Sequence, residues 1–409
     1  MVRNSVVKSI FLIAALVLSA CATSPRDGAA AHSLKLNQIQ VLGTHNSYSL
    51  GVDPTLMARA APMMTALFAQ LPQRMNSEQA AAFREQHPND ILWSDGLRYA
   101  YPEGLHAQLQ SGVRNIELDV NRDPDGGRFL NPAGYTYLTQ NGAAPESFSA
   151  HEKSGLDQPG FKVLHIADLD FRSSCNLLKA CLEQLKAWSD AHSTHTPIVV
   201  LIEAKDQSLE LFPNATKVLP FDSAAFDQLD AEILSVIPRS RIVAPDDVRG
   251  AYATLNAAVR AGNWPTLESA QGKFVFLLIT ALDAGGLSGY REGRPNLEGR
   301  VAFLQSTPGD DHAAFLLLDN ALVRQKEIAQ YVREGYLVRT RSDIETFEAK
   351  MNDMTRAEAA FASGAQIVTT DFYRPGNAYG TGYVVRLPGG GAWRCNPVNA
   401  QACVQGGPQ

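Results

Sequence analysis

Cysteine is scarce in this chain, five residues in 409, and no two are spaced as Cys-x-x-Cys. With no histidine-rich tract either, zinc-ribbon and zinc-finger frameworks are excluded. The apolar run near the N-terminus, Ile10 to Leu18, falls far short of the ~20 residues that a membrane-spanning helix needs. Charge of one sign is not in excess. A net charge of -6 leaves no basic footprint for nucleic acid and no field directed at an acidic membrane surface. No Gly-x-Gly-x-x-Gly follows the first strand pattern, which removes the dinucleotide-binding form of an open α/β sheet.

What is present begins with an address. Arg3 and Lys8 precede the short apolar run, and Leu18-Ser19-Ala20-Cys21 follows it. This reads as a signal segment over residues 1–20, ending in a pattern that resembles a bacterial lipobox. Cys21 would carry the lipid and 21–35 would serve as a small, polar tether. With Ala22 rather than aspartate after the cysteine, the expected destination is an exported, membrane-anchored lipoprotein at the outer membrane or cell surface. The other cysteines fall into two local pairs, Cys175 with Cys181 and Cys395 with Cys403, expected as disulfides in an exported protein.

Short runs rich in Val, Ile, Leu and Phe recur near residues 39, 114, 161, 197, 273, 313, 336 and 365. Between them lie helical patterns such as 175–192 and a stretch starting at a Ser342 cap and closing on Gly364. Eight near-continuous apolar strands alternating with helices predict a parallel sheet closed as a TIM-type (β/α)8 barrel, with an open doubly wound sheet as the alternative. The barrel is expected over 36–375, with a Gly-rich tail over 376–409. Two insertions interrupt it: extra helices within 47–113 and a long loop over 121–160. Both follow strands, on the side where a barrel carries its site.

The strand ends hold residues that a buried sheet should not. His45 and Asn46 follow the first strand. Glu117 and Asp119 are two apart and share a face, as do Glu203 and Lys205. His165, Arg339, Arg341 and Asp371 lie at further strand ends. Singly, each has an ordinary structural explanation; gathered at equivalent ends they predict one site. Buried charges cost several kcal/mol unless paired or bound to metal. Asn46, Glu117, Asp119 and Glu203 offer only oxygen, which suits a hard cation, calcium or magnesium. His192 and His195 precede a strand and are expected on the opposite rim in structural roles, as are His87, His106, His151 and His312 elsewhere.

In "LGTHNSY", "RNIELDV", "FKVLHIADLDFRSSC", "PIVVLIEAKD" and "GYLVRTRSD" with "SGAQIVTTDFY", the chain resembles the calcium-dependent, phosphoinositide-specific phospholipase C family of bacteria and fungi, related to the catalytic barrel of the eukaryotic enzymes. The resemblance implies that Asn46, Glu117, Asp119 and Glu203 hold calcium and that His45 and His165 flank a scissile phosphate. His165 would be the general acid, with His45 on the phosphoryl oxygens or assisting as base. Lys205, Arg341 and Asp371 would bind phosphate or inositol hydroxyls. The implied partners are a phosphoinositide or related phosphodiester lipid, and a membrane surface through Cys21. Rival expectations are a glycerophosphodiester phosphodiesterase, against which His45-Asn46 stands where His-Arg is usual, and a non-catalytic binding lipoprotein on the same barrel.

Overall fold

A computed structural model describes residues 34–70, 73, 75–89, 93–280, 287–400 and 403. The signal segment, Cys21 and nearly all of the tether lie outside the described residues.

Among the described residues the strands are β1 (Ile39–Thr44), β2 (Asn115–Asn121), β3 (Lys162–Val163), β4 (Ile198–Lys205), β5 (Phe274–Thr280), β6 (Ala302–Leu304), β7 (Phe315–Asn320), β8 (Leu337–Arg341), β9 (Ile367–Thr370) and β10 (Arg394–Cys395). Eight of them form a parallel sheet in the order β6-β5-β4-β2-β1-β9-β8-β7. A parallel bridge between Gln305 and Phe315 joins its two ends, so the sheet is nearly closed into the expected barrel. Ile198 to Ile202 and Phe274 to Leu278 are buried throughout, because helices cover one face of the sheet and the barrel interior takes the other.

One barrel position is filled differently from expectation. The stretch around Lys162 pairs with β2 antiparallel and only through Val120–Val163 and Asn121–Lys162, while β2 runs directly alongside β4 from Asn115–Val199 to Asn121–Lys205. The eighth place belongs to β6, whose three residues lie between Gly299 and the turn at Pro308–Gly309. An apolar run so short carries no periodic signal.

The expected single helix from Ser342 to Gly364 is two, Phe347–Met351 and Thr355–Ser363. Ser342 is not its cap. Still buried at the end of β8, its hydroxyl donates to the Thr369 carbonyl and lies against Asp343, and left-handed residues at 345, 346 and 352 interrupt the helical path. Gly364 does close the second helix, at φ 81, where a side chain would be strained.

The 121–160 insertion contains a helix, Ala133–Gln140. It joins the helix Pro54–Phe68 and residues after β3 and β4 in a second apolar core, in which Leu56, Met64, Phe129, Leu138, Phe171 and Phe212 are buried. Every contributing segment follows a strand, so this core stands on the C-terminal face of the barrel. The tail returns to the sheet, β10 pairing antiparallel with β1. Both expected disulfides, Cys175–Cys181 and Cys395–Cys403, are formed. No helix among the described residues is long and apolar enough to cross a membrane.

Candidate active site

The residues after β1 are held by its neighbours. Gly43 faces Asn115 of β2 so closely that a Cβ there would lie 2.5 Å from Asn115 Oδ1. Thr44 Oγ1 donates to Gln108 Oε1 at 2.6 Å, Gln108 Nε2 donates to the Ser47 carbonyl at 2.7 Å, and Glu117 N donates to Ser47 Oγ at 2.8 Å. This network fixes the turn that carries His45 and Asn46. Asn46 takes φ 46, a left-handed conformation that asparagine tolerates better than most residues.

Asp119 and Glu203 are register partners on β2 and β4, and Glu117 lies two residues back on the same face. One oxygen from each of Glu117, Asp119 and Glu203 lies within 4.8 Å of the others. Two oxygens on opposite sides of one calcium ion would be roughly 4.6–5.2 Å apart, twice the usual bond length. The donor set is therefore of the right size and chemistry for a hard cation. One end of the Asn46 carboxamide adds a fourth position, 3.0 and 3.3 Å from the two Asp119 oxygens.

Protein cations offset part of this charge. Lys205 Nζ is 2.9 Å from Glu203 Oε1 and 3.3 Å from Asp119 Oδ2. Arg339, from β8 across the barrel, reaches Glu117 Oε2 at 2.8 Å and also pairs with Asp319. Burial pushes Glu117 up to about 7 against the opposing pull of Arg339. Burial and then repulsion from Glu203 hold Asp119 well above the usual carboxylate range. Burial acts on Glu203 too, but the Lys205 ammonium more than offsets it, and that carboxyl lies below its ordinary value. Two carboxyls so raised are short of positive charge.

Each expected histidine is backed by a carboxylate. His45 Nδ1 is 2.9 Å from Asp371 Oδ1 and His165 Nδ1 is 2.9 Å from Asp170 Oδ2. With Nδ1–H donating backwards, Nε2 is the nitrogen left for chemistry. The two rings are 6.5 Å apart between centroids, and His45 Nε2 is 4.0 Å from Glu117 Oε1. Burial, then the guanidiniums of Arg341 and Arg339, hold His45 well below the usual imidazole value. Burial raises Asp371 to about 6 against the pull of Arg341, which lies 3.2 Å from its Oδ2.

All ten strand-end residues singled out from the sequence lie in this constellation, yet the three expected substrate contacts are engaged with protein partners. Lys205 is bonded to Glu203, and Arg341 to Asp371. Asp371, whose side chain is 0% exposed, is turned to His45. His192 and His195 sit ahead of β4 on the other rim, where His192 stacks on Trp188 and His195 bonds Ser189 Oγ. Two neighbours escaped sequence reasoning. Tyr99, whose ring centroid is 5.5 Å from that of His45, comes from the first insertion, where no pattern ties it to a strand end. Asp343, which accepts from Asp371 N at 2.8 Å, follows Ser342 at the expected start of a helix, where an acidic residue is ordinary.

A barrel with two carboxylate-backed histidines beside an acidic, all-oxygen cluster at its C-terminal mouth has the make-up of a metal-assisted enzyme. Residues 34–397 match the family model for Ca2+-dependent phosphoinositide phospholipase C, and the chain belongs to that family of enzymes. Its members are calcium-dependent, and the acidic cluster of Glu117, Asp119 and Glu203 could hold such an ion. Among solved structures, the calcium-dependent phosphoinositol-specific phospholipase C of a Gram-negative Pseudomonas is 16% identical, with 90% of this chain and 96% of that chain covered at a TM-score of 0.50. The Ca2+-dependent phosphatidylinositol-specific enzyme of Streptomyces antibioticus is 18% identical, with 83% and 95% covered at a TM-score of 0.47. At such identity the Pseudomonas likeness bears on the fold. No curated protein matches the chain in sequence.

Proposed function

We propose that the chain is an exported phosphodiesterase that cleaves phosphatidylinositol-type lipids to diacylglycerol and an inositol phosphate. The observation that carries this reading is the pair of carboxylate-backed histidines, rings 6.5 Å apart, beside a cluster of Glu117, Asp119 and Glu203. Glu117, Asp119, Glu203 and the Asn46 carboxamide would hold calcium, which when bound lowers the pKa of the inositol 2-hydroxyl and offsets the phosphate charge. The 2-hydroxyl oxygen bonds to phosphorus as the bond from phosphorus to the glyceryl oxygen breaks. An alkoxide leaves poorly, so His165 gives its Nε2 proton to that oxygen. His45, neutral for the reasons given above, holds a phosphoryl oxygen or assists in removing the hydroxyl proton. Asp371 and Asp170 keep each Nδ1 protonated and each ring aimed. Lys205 and Arg341, with side chains 15% and 14% exposed, keep an edge toward the mouth and are proposed to meet the phosphate or the inositol hydroxyls; Asp371 acts through His45.

The lipidated Cys21 would keep the site near a bilayer, and two disulfides agree with an oxidising, exported setting. Cys21→Ser should release the protein from membranes with catalysis intact; retention in the membrane fraction would refute the anchor. The test of function is incubation with phosphatidylinositol and with phosphatidylcholine vesicles, with calcium and with chelator. Inositol phosphate should appear only from phosphatidylinositol with calcium. Release of phosphocholine, or activity indifferent to chelation, would overturn the reading.

A further inference from the structure

The Asn46 carboxamide has two polar ends with different neighbours. One end lies 3.0 and 3.3 Å from the Asp119 oxygens and 3.2 Å from Tyr48 Oη; the other lies 2.6 Å from Tyr99 Oη. Among the described residues, Asn46 is the hydrogen-bond partner of the Tyr99 hydroxyl. An amide has one accepting and one donating end, so its orientation decides what Tyr99 does with its own proton.

When the cluster holds no cation, the nitrogen belongs beside Asp119. Its N–H groups then donate to the carboxylate and to Tyr48 Oη, and the amide oxygen accepts the Tyr99 O–H. A cation against Asp119 reverses this, because an amide nitrogen has no lone pair to offer while the oxygen does. The NH2 now points at Tyr99 Oη and donates to it. The phenol proton is released from Asn46 and needs another acceptor.

We propose that Asn46 turns over when the cation binds, converting Tyr99 from a donor to an acceptor toward it and freeing the Tyr99 O–H for a substrate oxygen. This rests on the cation reading above and adds a positioning residue and an order of events to it. Tyr99 is buried and its ring neighbours that of His45, so in the loaded site its freed proton lacks solvent. A buried donor without an acceptor is costly. The arrival of a phosphoryl or inositol oxygen removes that cost, so the loaded site favours substrate and, by linkage, substrate favours the cation.

The experiment combines calcium titration calorimetry with calcium-minus-chelator infrared difference spectra, using isotope-labelled tyrosine to isolate the phenol C–O band, which differs between donor and acceptor phenols. The wild-type protein should bind calcium and show a donor-to-acceptor change. Tyr99→Phe should bind calcium and lose that change. Tyr48 should give the opposite change, removed in Tyr48→Phe. Asn46→Asp keeps an oxygen for the cation but has no donating end, so it should bind calcium without moving the Tyr99 band. With Asn46 in place, Tyr99→Phe should raise KM roughly tenfold with little change in kcat. Added to the Asn46→Asp variant, the same Tyr99→Phe change should leave KM nearly unaltered, which a merely structural tyrosine would not do. Calcium binding without the band change, survival of the change in Tyr99→Phe or Asn46→Asp, or equal KM effects of Tyr99→Phe with and without Asn46→Asp would overturn the proposal. Absence of calcium binding in the wild type would instead remove the cation reading itself.

Discussion

The two histidine–carboxylate pairs share a bond length and differ in construction. Each is 2.9 Å from Nδ1 to oxygen, and the imidazole side chains are 17% and 19% exposed. His45 and Asp371 are 326 residues apart and meet because β1 and β9 are parallel neighbours in the sheet. His165 and Asp170 are five residues apart and meet because the loop after β3 turns back on itself through backbone bonds from His165 N and Ile166 N to the Asp170 carbonyl. The first pair is part of the barrel. The second rides on the second apolar core, tied down by Asp168, whose carboxylate accepts from Ala133 N, Thr216 N and Thr216 Oγ1. The two histidines thus stand on different frames, the second joined to the barrel beside it through Leu164, whose N–H donates to the Asp119 carbonyl and whose carbonyl accepts from Asn121 Nδ2.

The partners also differ in how their charge is shared. Asp371 is met by Arg341 and by Asp343 through its backbone N–H. Asp170 Oδ1 is buried without a hydrogen-bond partner among the described residues. One carboxylate is neutralised by a guanidinium; the other has its histidine.

The largest test of this asymmetry removes the imidazoles. His45→Ala and His165→Ala should each lower turnover by about 10²–10⁴. With a substrate whose leaving group needs no proton, the His165→Ala loss should shrink toward tenfold while the His45→Ala loss persists. Equal losses on both substrates would show that the two pairs do the same work.

A smaller effect is expected from the backing carboxylates, and it should divide between activity and stability. Asp170→Asn leaves His165 without a counter-charge and should lower kcat by roughly 10². Asp371→Asn leaves an acceptor for His45, so kcat should fall only about tenfold. It strands Arg341 instead, and removing one partner of a buried ion pair costs about 3–5 kcal/mol. Urea denaturation should therefore separate the variants in the opposite order from kinetics. Losses ranked the same way in both measurements would mean the two pairs are equivalent after all.

The same contrast explains what could be read from sequence. Glu117 with Asp119, and Glu203 with Lys205, were legible because the strand period of two puts each pair on one face whatever surrounds it. His45, His165 and Asp371 were legible as polar residues at strand ends. The partnership of His45 with Asp371 was not, since Asp371 reaches His45 only through the lateral order β1-β9, which no local pattern encodes. The barrel itself was legible from eight apolar runs, although β6 was too short to register and the run near 161 belonged mostly to the loop carrying His165. A run of the right composition can end as a turn when its polar members have partners close at hand, as His165 does in Asp170.

The finest discrimination comes from the cation cluster, whose three carboxylates belong to β2 and β4 and so to the barrel frame. Without a cation, burial places Glu117 at about 7 and holds Asp119 well above its ordinary value, while Glu203 lies below its own. A carboxyl must be ionised to hold calcium, so binding must expel a proton from Glu117 at or below neutrality but none from Glu203. Below pH about 7 the proton competes at Glu117, and calcium affinity should fall by up to about tenfold per pH unit for each proton displaced. Calorimetry at pH 6 in two buffers of different ionisation enthalpy measures the protons released. Glu117→Gln should reduce that number most, whereas Glu203→Gln should weaken calcium binding and reduce the number less, through the lost repulsion that helps hold a proton on Glu117. Asp170→Asn, a change confined to the loop frame, should alter neither; if it does, the two frames are coupled through the cation and the separation between them fails.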